Sequence, residues 1–325
     1  MAAVTGVIEK IYVDKTIPGL RLDSFLHLQH PELSRTYFKK LIDSAKVSVN
    51  GRTIKPSYQP IAGDLILIEI PEPTSTDVKP EAIPLNIIYE DEDIVVINKP
   101  SGVVVHPGAG NINHTIVNAL LHHCEGKLSG ISGVMRPGIV HRLDKETSGC
   151  LVAAKNDIAH QSLMRQFASR NVKKSYLAIV CGQLSQKTGE INLPIGRHPV
   201  HRKKMAVVKV SGRTARTGYT VITSTEFVTF VDLRLYTGRT HQIRVHFHHI
   251  GFSVLGDSVY GARQTEKVFK TTGYNADRQM LHAYILGFFH PRTTQWMEFK
   301  AELPDDFKTA LHMLSLDHVD DRYVL

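Results

Sequence analysis

The sequence predicts an α+β protein in two parts. A small N-terminal α/β module occupies residues 1–70, and a larger domain on a mixed, mainly antiparallel sheet occupies 85–325. Three observations carry this reading. Strand-like runs recur after residue 84, as IVVINK, LVAAK, YLAIV, GYTVIT and VTFVDLRLY. Helical periodicity interrupts them only at irregular intervals, which argues against a regular βαβ array. Between the parts, residues 71–84 (PEPTSTDVKPEAIP) hold four prolines and few apolar groups, the composition of a semi-rigid linker.

In the N-terminal module, Leu22, Phe25 and Leu26 recur at i, i+3 and i+4, predicting a short amphipathic helix. Ser34 is placed to cap a second helix with an apolar stripe of Phe38, Leu41, Ile42 and Ala45. Arg35, Lys39 and Lys46 fall together beside that stripe on the same helical wheel. Taken alone, they read as a solvated helix face. Asn50-Gly51 between alternating segments predicts a hairpin, and Asp64 to Ile70 a closing strand. In the larger domain, Asp157–Arg170 puts Ile158, Leu163, Met164 and Phe167 roughly on one face. Thr240–Ile250 places Ile243, Phe247 and Ile250 at core spacing, with His241, Arg244 and His248 opposite. Trp296–Ala301 predicts a strand and 305–316 a last helix.

Lys and Arg number 39 against 31 Asp and Glu, a formal charge of +8 with pI near 9.3. That balance leans toward a polyanionic partner. Cys124, Cys150 and Cys181 are scattered and form no CxxC, so reduced thiols and a cytoplasmic setting are expected. The first residues, MAAVTGVIEKIYVD, lack the basic-then-apolar order of a secretion signal. No apolar run approaches membrane-spanning length, so no membrane partner is expected. Ile191–Thr225 holds seven basic residues (Arg197, Arg202, Lys203, Lys204, Lys209, Arg213, Arg216) and no acidic one. Such a run reads equally as solvated surface or as a phosphate-contacting face.

Several cofactor chemistries find no motif. After Gly108 and Gly110, Asn113 stands where a dinucleotide loop needs its third glycine. His122-His123, His246 and His248-His249 have no zinc-site spacing, and Glu90-Asp91-Glu92-Asp93 reads as a solvated turn before a strand. No G-x-S-x-G elbow is present. The segment HRLDKETSG (141–149) is different, because a turn between two strand-like runs does not need His-Arg-Leu-Asp. An isolated loop aspartate is ordinarily a turn or cap residue. Asp144, with Arg142 beside it and Arg244 elsewhere, suits an ionised carboxylate kept by cations. That is a better nucleophile than general acid.

HRLDKETSG, KKSYLAIV, TGRTHQIRVH and Leu281-His282-Ala283 together resemble the RluA-type pseudouridine synthases. INKPSGVVVHPGAGN (97–111) resembles the RluD branch, with Cys150 a departure where the family pattern has Leu. The LDSFL…LSRTYFKKLI…VSVNG pattern is similar to a small RNA-binding domain of a ribosomal protein. The resemblance implies a pseudouridine synthase fold and an isomerase that works without cofactor or metal. Its expected partner is large-subunit ribosomal RNA or a pre-ribosomal particle, and monomer is the expected state. It implies catalytic roles for Asp144, Tyr176 and Arg244: nucleophile, stacking ring or proton acceptor, and cationic partner. Substrate contacts fall to Arg142, which would enter the RNA stack, and to His141, Arg239, His241 and Leu281. RNA contacts fall to Arg35, Lys39, Lys46, Arg202, Lys203 and Lys204. An RNA-binding protein without catalysis, or a metal-dependent nuclease using the histidines, would be the rival readings.

Overall fold

Alternating and continuous apolar runs decide where the strands form, and short polar turns decide which of them pair. The structure, a computed structural model, describes residues 7–30, 35–70, 78–108, 110–126, 128–131, 136–202 and 204–317. The chain divides into two units, Met1–Asp77 and Val78–Leu325.

In the first unit the order is β1 (Val7–Tyr12), α1 (Leu22–Gln29), α2 (Arg35–Asp43), β2 (Val47–Val49), β3 (Arg52–Thr53) and β4 (Leu65–Ile70). The sheet order is β1-β4-β2-β3, antiparallel throughout. β1 is an addition to the sequence reading, which starts the module's elements at α1. Leu22, Leu26, Phe38, Val47, Ile66 and Ile68 are wholly buried against one another. Asn50 and Gly51 both take positive φ (49° and 74°), the primed hairpin turn that the Asn-Gly pair predicts. Two expectations on α2 fail. The helix stops at Asp43, and Ala45, with φ 58°, is exposed beyond it rather than in the apolar stripe. Lys46 therefore leaves the helical wheel of Arg35 and Lys39. Ser34, the expected cap, lies outside the described residues.

The second unit runs β5 (Ile87–Glu90), β6 (Ile94–Lys99), α3 (Ile116–His123), β7 (Ser148–Ala154), α4 (Asp157–Ser169), β8 (Lys173–Cys181), β9 (Thr188–Asn192), β10 (Ile195–Arg197) and β11 (Met205–Val207). β12 (Arg216–Ser224), β13 (Val228–Leu235), α5 (Gln242–His249), α6 (Ala262–Thr272), β14 (Leu281–Phe289), β15 (Trp296–Lys300) and α7 (Asp305–Met313) follow. A nine-stranded sheet has the order β5-β6-β7-β14-β8-β13-β12-β9, with β15 paired to β14. All its pairs are antiparallel except β7 with β14. A late strand thus lies between two earlier ones, and the loop before β7 meets the start of β14.

Helices cover both faces. α7 packs Phe307, Ala310 and Leu311 on β8, β13 and β14, while α5 packs Ile243 and Phe247 on β8 and β13 with other neighbours. α3 and α6 are absent from the sequence reading. α3 is apolar nearly all round and starts on a Thr115–Asn118 capping box, whereas α6 buries only Val268. On α4 the expected face is only partly right: Leu163 is buried, with Ala159 and His160, but Ile158 is 76% and Met164 45% exposed.

Two further expectations change. Residues 78–84 are not free linker: Val78 is buried in the core around α3, and Asn118 Nδ2 donates to the Lys79 carbonyl at 2.8 Å. Nor is 90–93 a solvated turn. Asp93 is 4% exposed, and Arg292 donates to it at 2.7 and 2.9 Å. Asp91 Oδ1 accepts the N–H groups of Asp93 and Ile94.

Candidate active site

Asp144 sits in the loop between the bridge at Ile139 and strand β7, and that loop is held from four sides. The Lys99 ammonium, fully buried at the end of β6, donates to the carbonyls of Pro100 (2.7 Å), Val103 (2.8 Å) and Lys145 (3.1 Å). Burial draws this amine down to about 7, with the Glu146 and Asp144 charges opposing the shift. Three carbonyls nevertheless match the three donors of the charged form. Gly102 N donates to the Lys145 carbonyl, Arg278 Nη1 to that of Glu146, and Gln279 Nε2 to Thr147 Oγ1.

Arg244 comes from α5, one residue past the buried Ile243. Its Nη1 donates to Asp144 Oδ2 at 2.9 Å. Its Nε and Nη2 donate to Asp257 Oδ2 and Oδ1 at 2.7 and 3.0 Å. Burial opposes the charge on Arg244, but the two carboxylates more than offset it and hold the guanidinium above its ordinary range. Asp257 is 1% exposed, and its Oδ1 also accepts the N–H groups of Val259 and Tyr260. Two of the three guanidinium nitrogens are therefore committed to a buried anchor, and the third is aimed at Asp144.

The cleft around this pair is lined by Asp144, Arg142, Tyr176, Arg239, His241 and Leu281. Tyr176 lies on β8 and packs against two apolar clusters. Burial, reinforced by the Asp144 charge, raises its phenol and keeps it protonated. His241 adopts φ 56° just before α5; its Nδ1 lies 2.9 Å from the Tyr260 hydroxyl and its Nε2 3.8 Å from Asp144 Oδ1. Burial lowers its basicity, with Asp144 opposing. Leu281, at the start of β14, is 4% exposed.

Some expected residues stand elsewhere. His141 does not line the cleft: its Nε2 accepts the Val152 N–H at 3.1 Å, and its ring stacks on Phe167 at 4.6 Å. Burial, then the Lys174 charge, takes it down to about 3, so it braces the loop as a neutral ring. Arg35 is shared with the buried Asp23 (3.0 Å) and Lys46 with Glu69 (3.0 Å), while Lys39 stands exposed. Arg202 is exposed, Lys204 Nζ donates to the Val259 carbonyl at 3.0 Å, and Lys203 lies outside the described residues. No motif marks Asp257, Tyr260 or Lys99 as site residues; the nearest signal for Lys99 is its place in the INKPSG segment.

Among the described residues, Asp91, Asp93 and His290 are the group whose ligand atoms lie close enough to share a metal ion. Their ligand atoms already have partners: His290 Nε2 lies 2.8 Å from Asp91 Oδ2, and Arg292 holds Asp93. This is an ion-pair knot at the start of β6, the opposite end of the strand from Lys99. His246, singled out for its possible metal chemistry, instead bridges Thr217 Oγ1 and the Leu193 carbonyl.

Residues 93–249 match the family model of RNA pseudouridylate synthases, and residues 20–66 match that of the S4 domain. The chain is 48% identical over 297 residues to an uncharacterized RNA pseudouridine synthase of Aquifex aeolicus, covering 90% of this chain and 93% of that protein. It is 44% identical over 313 residues to ribosomal large subunit pseudouridine synthase D of Zymomonas mobilis, covering 95% and 98%. Among solved structures it is similar to human RNA pseudouridylate synthase domain containing 4, with TM-score 0.56 and 28% identity over 72% of this chain and 95% of that one.

Proposed function

The chain belongs to the RNA pseudouridine synthase family, and we propose that its substrate is uridine in large-subunit ribosomal RNA, met as naked RNA or within a pre-ribosomal particle. The relative from Zymomonas mobilis, a large-subunit enzyme by name and alignable over almost its whole length, supports this choice. A cytoplasmic monomer completes the reading, supported for the compartment by three free, buried cysteines.

The reaction balances within one nucleoside. The bond from N1 of uracil to the ribose breaks, the base turns, and a bond from C5 to the same ribose carbon forms. The proton on C5 leaves and N1 gains one. Asp144 is the nucleophile in this reading. Arg244 holds Oδ2, while His241 Nε2 stands 3.8 Å from Oδ1, beyond hydrogen-bond distance, so Oδ1 is the oxygen with room to react. Arg142, exposed at the rim, would fill the gap left in the RNA stack; extruding a nucleotide costs a few kcal/mol, and a planar cation offsets part of it. Tyr176 and Leu281 form the apolar surfaces against which uracil lies. A phenol held protonated is a poor proton acceptor, so stacking is the role its surroundings support.

The observation that carries the reading is the Asp144–Arg244 pair, placed in one cleft with Tyr176 and Leu281. Mapping pseudouridine in ribosomal RNA from cells with and without this protein tests it. At least one large-subunit site should revert to uridine in its absence. Identical maps would remove the substrate assignment.

A further inference from the structure

Strand β8 carries a second side chain on the face that presents Tyr176. Lys174 precedes it by two residues, the spacing that repeats a face along a strand. The Lys174 amine is largely buried, and it lies beside the TGRTHQIR segment: a Cβ placed on Gly238 would touch it at 3.6 Å. Arg170, Arg216, Arg234, Leu235 and Tyr236 complete a recess around it. Leu235 also lines the Asp144 cleft, so recess and cleft share a wall.

Four cations, Arg170, Lys174, Arg216 and Arg234, line the recess together with Val172, Leu235 and Tyr236. Arg216 lies over the Tyr236 ring at 4.1 Å and is neutralised by Glu190, which accepts its Nε and Nη2 at 2.7 Å each. Arg234 approaches the same ring at 5.0 Å. Among the described residues, no carboxylate reaches Lys174, Arg170 or Arg234. Burial of this amine beside Arg170 and Arg239 lowers it to about 8. An ammonium in such a place has lost part of its water and faces other cations, a cost that an incoming anion would remove.

We propose that the recess around Lys174 is a phosphate subsite that takes an RNA backbone phosphate next to the uridine held in the cleft. This rests on the substrate reading above only for which nucleotide lies alongside. A phosphate there would meet the Lys174 ammonium at the floor and Arg170 and Arg234 at the rim, and would fix the strand while the base is drawn toward Asp144.

Two variants test it, Lys174→Met, which keeps the aliphatic stem, and Arg234→Gln, at an exposed strand position where folding is not at stake. RNA affinity is measured against salt with a single-stranded RNA fragment, and pseudouridine formation with the same fragment. For each variant the slope of log affinity against log salt should fall by about 0.7, the increment for one phosphate on a single strand. Affinity should fall about tenfold for Lys174→Met, as expected for one charged hydrogen bond. The loss should appear in KM, with a much smaller change in kcat. Wild-type affinity should also weaken as pH rises through about 8, as the amine loses its proton, and Lys174→Met should not show that step. The other charges facing the amine are the guanidinium groups of Arg170, Arg216, Arg234 and Arg239, and His141 is already neutral. Wild-type salt slopes in both variants, or a loss confined to kcat, would overturn the subsite. Absence of pseudouridine from wild-type reactions would instead overturn the substrate reading, and the salt slopes would still decide the subsite.

Discussion

Arg244 fixes two carboxylates of different character, and the difference sets what each substitution should do. Asp257 is fully enclosed and receives two donors from the guanidinium, whereas the Asp144 side chain is 18% exposed and receives one. Asp144→Asn removes the proposed nucleophile and little else, so isomerisation should vanish while RNA binding stays close to wild type. Product formation and affinity measured side by side check this, and turnover within tenfold of wild type would sink the assignment. Arg244→Met strands both acids, and breaking such a buried pair costs about 3–5 kcal/mol. Most of that penalty belongs to Asp257. Adding Asp257→Asn to Arg244→Met should therefore restore more thermal stability than adding Asp144→Asn, with coupling measured against the single changes. Arg244→Met also frees the Asp144 carboxylate from the guanidinium that holds its Oδ2, so kcat should fall sharply; kcat within tenfold of wild type would show that Arg244 does not govern Asp144. Asp144, Arg142 and Arg244 were legible in the sequence because motif and chemistry pointed to the same residues, and Tyr176 through the motif alone; the fold lines one cleft with all four. Asp257 was not, since a lone aspartate after Gly256 looks like any turn residue until the fold brings it under Arg244.

At the scale of elements, legibility followed apolar periodicity. β6, β7, β8, β13 and α5 carry enough buried side chains to announce themselves, while α6 buries one residue and β1 and β10 are short or mixed. Pairing was hidden too: nothing local says that β14 inserts between β7 and β8. The turn before Asp257 shows how such an insertion is tied to the site. Gly256 has φ +79°, and a Cβ there would overlap the Arg278 carbonyl at 1.8 Å. Arg278 belongs to the stretch that leads into β14 and itself bonds the Glu146 carbonyl of the catalytic loop. Gly256→Ala should therefore push the Asp257 turn away from β14. The left-handed backbone alone costs about 1–2 kcal/mol, and the overlap with a carbonyl adds to it. A lowered melting temperature together with a fall in kcat is expected, because Arg244 loses its anchor. Full activity at wild-type stability would mean that this close approach does not hold the site.

For the whole molecule, the second unit begins earlier than composition implied, at Val78 rather than at residue 85. Prolines continue to residue 84, but the second half of the stretch is bound to the catalytic unit. Val78 is 2% exposed in the core around α3, Lys79 accepts from Asn118, and Glu81 N donates to the Asn118 carbonyl. Asn118 is also the residue that closes the cap of α3 with Thr115, so the strap and the start of that helix share one buried amide. Two truncations separate the possibilities. A chain beginning at Val78 keeps every one of these contacts and should fold, isomerise weakly, and bind RNA with a flatter salt dependence, since the cations of the S4-like unit, Lys39 among them, are gone. A chain beginning at Leu85 loses the buried valine, at about 1.5–3 kcal/mol for an apolar side chain returned to water, and leaves the Asn118 amide without its acceptor. It should melt at a clearly lower temperature than the Val78 chain and lose isomerase activity on warming first. Equal melting temperatures for the two would show that the strap adds nothing to the catalytic unit. An unchanged salt slope in the Val78 chain would remove the N-terminal unit from RNA binding.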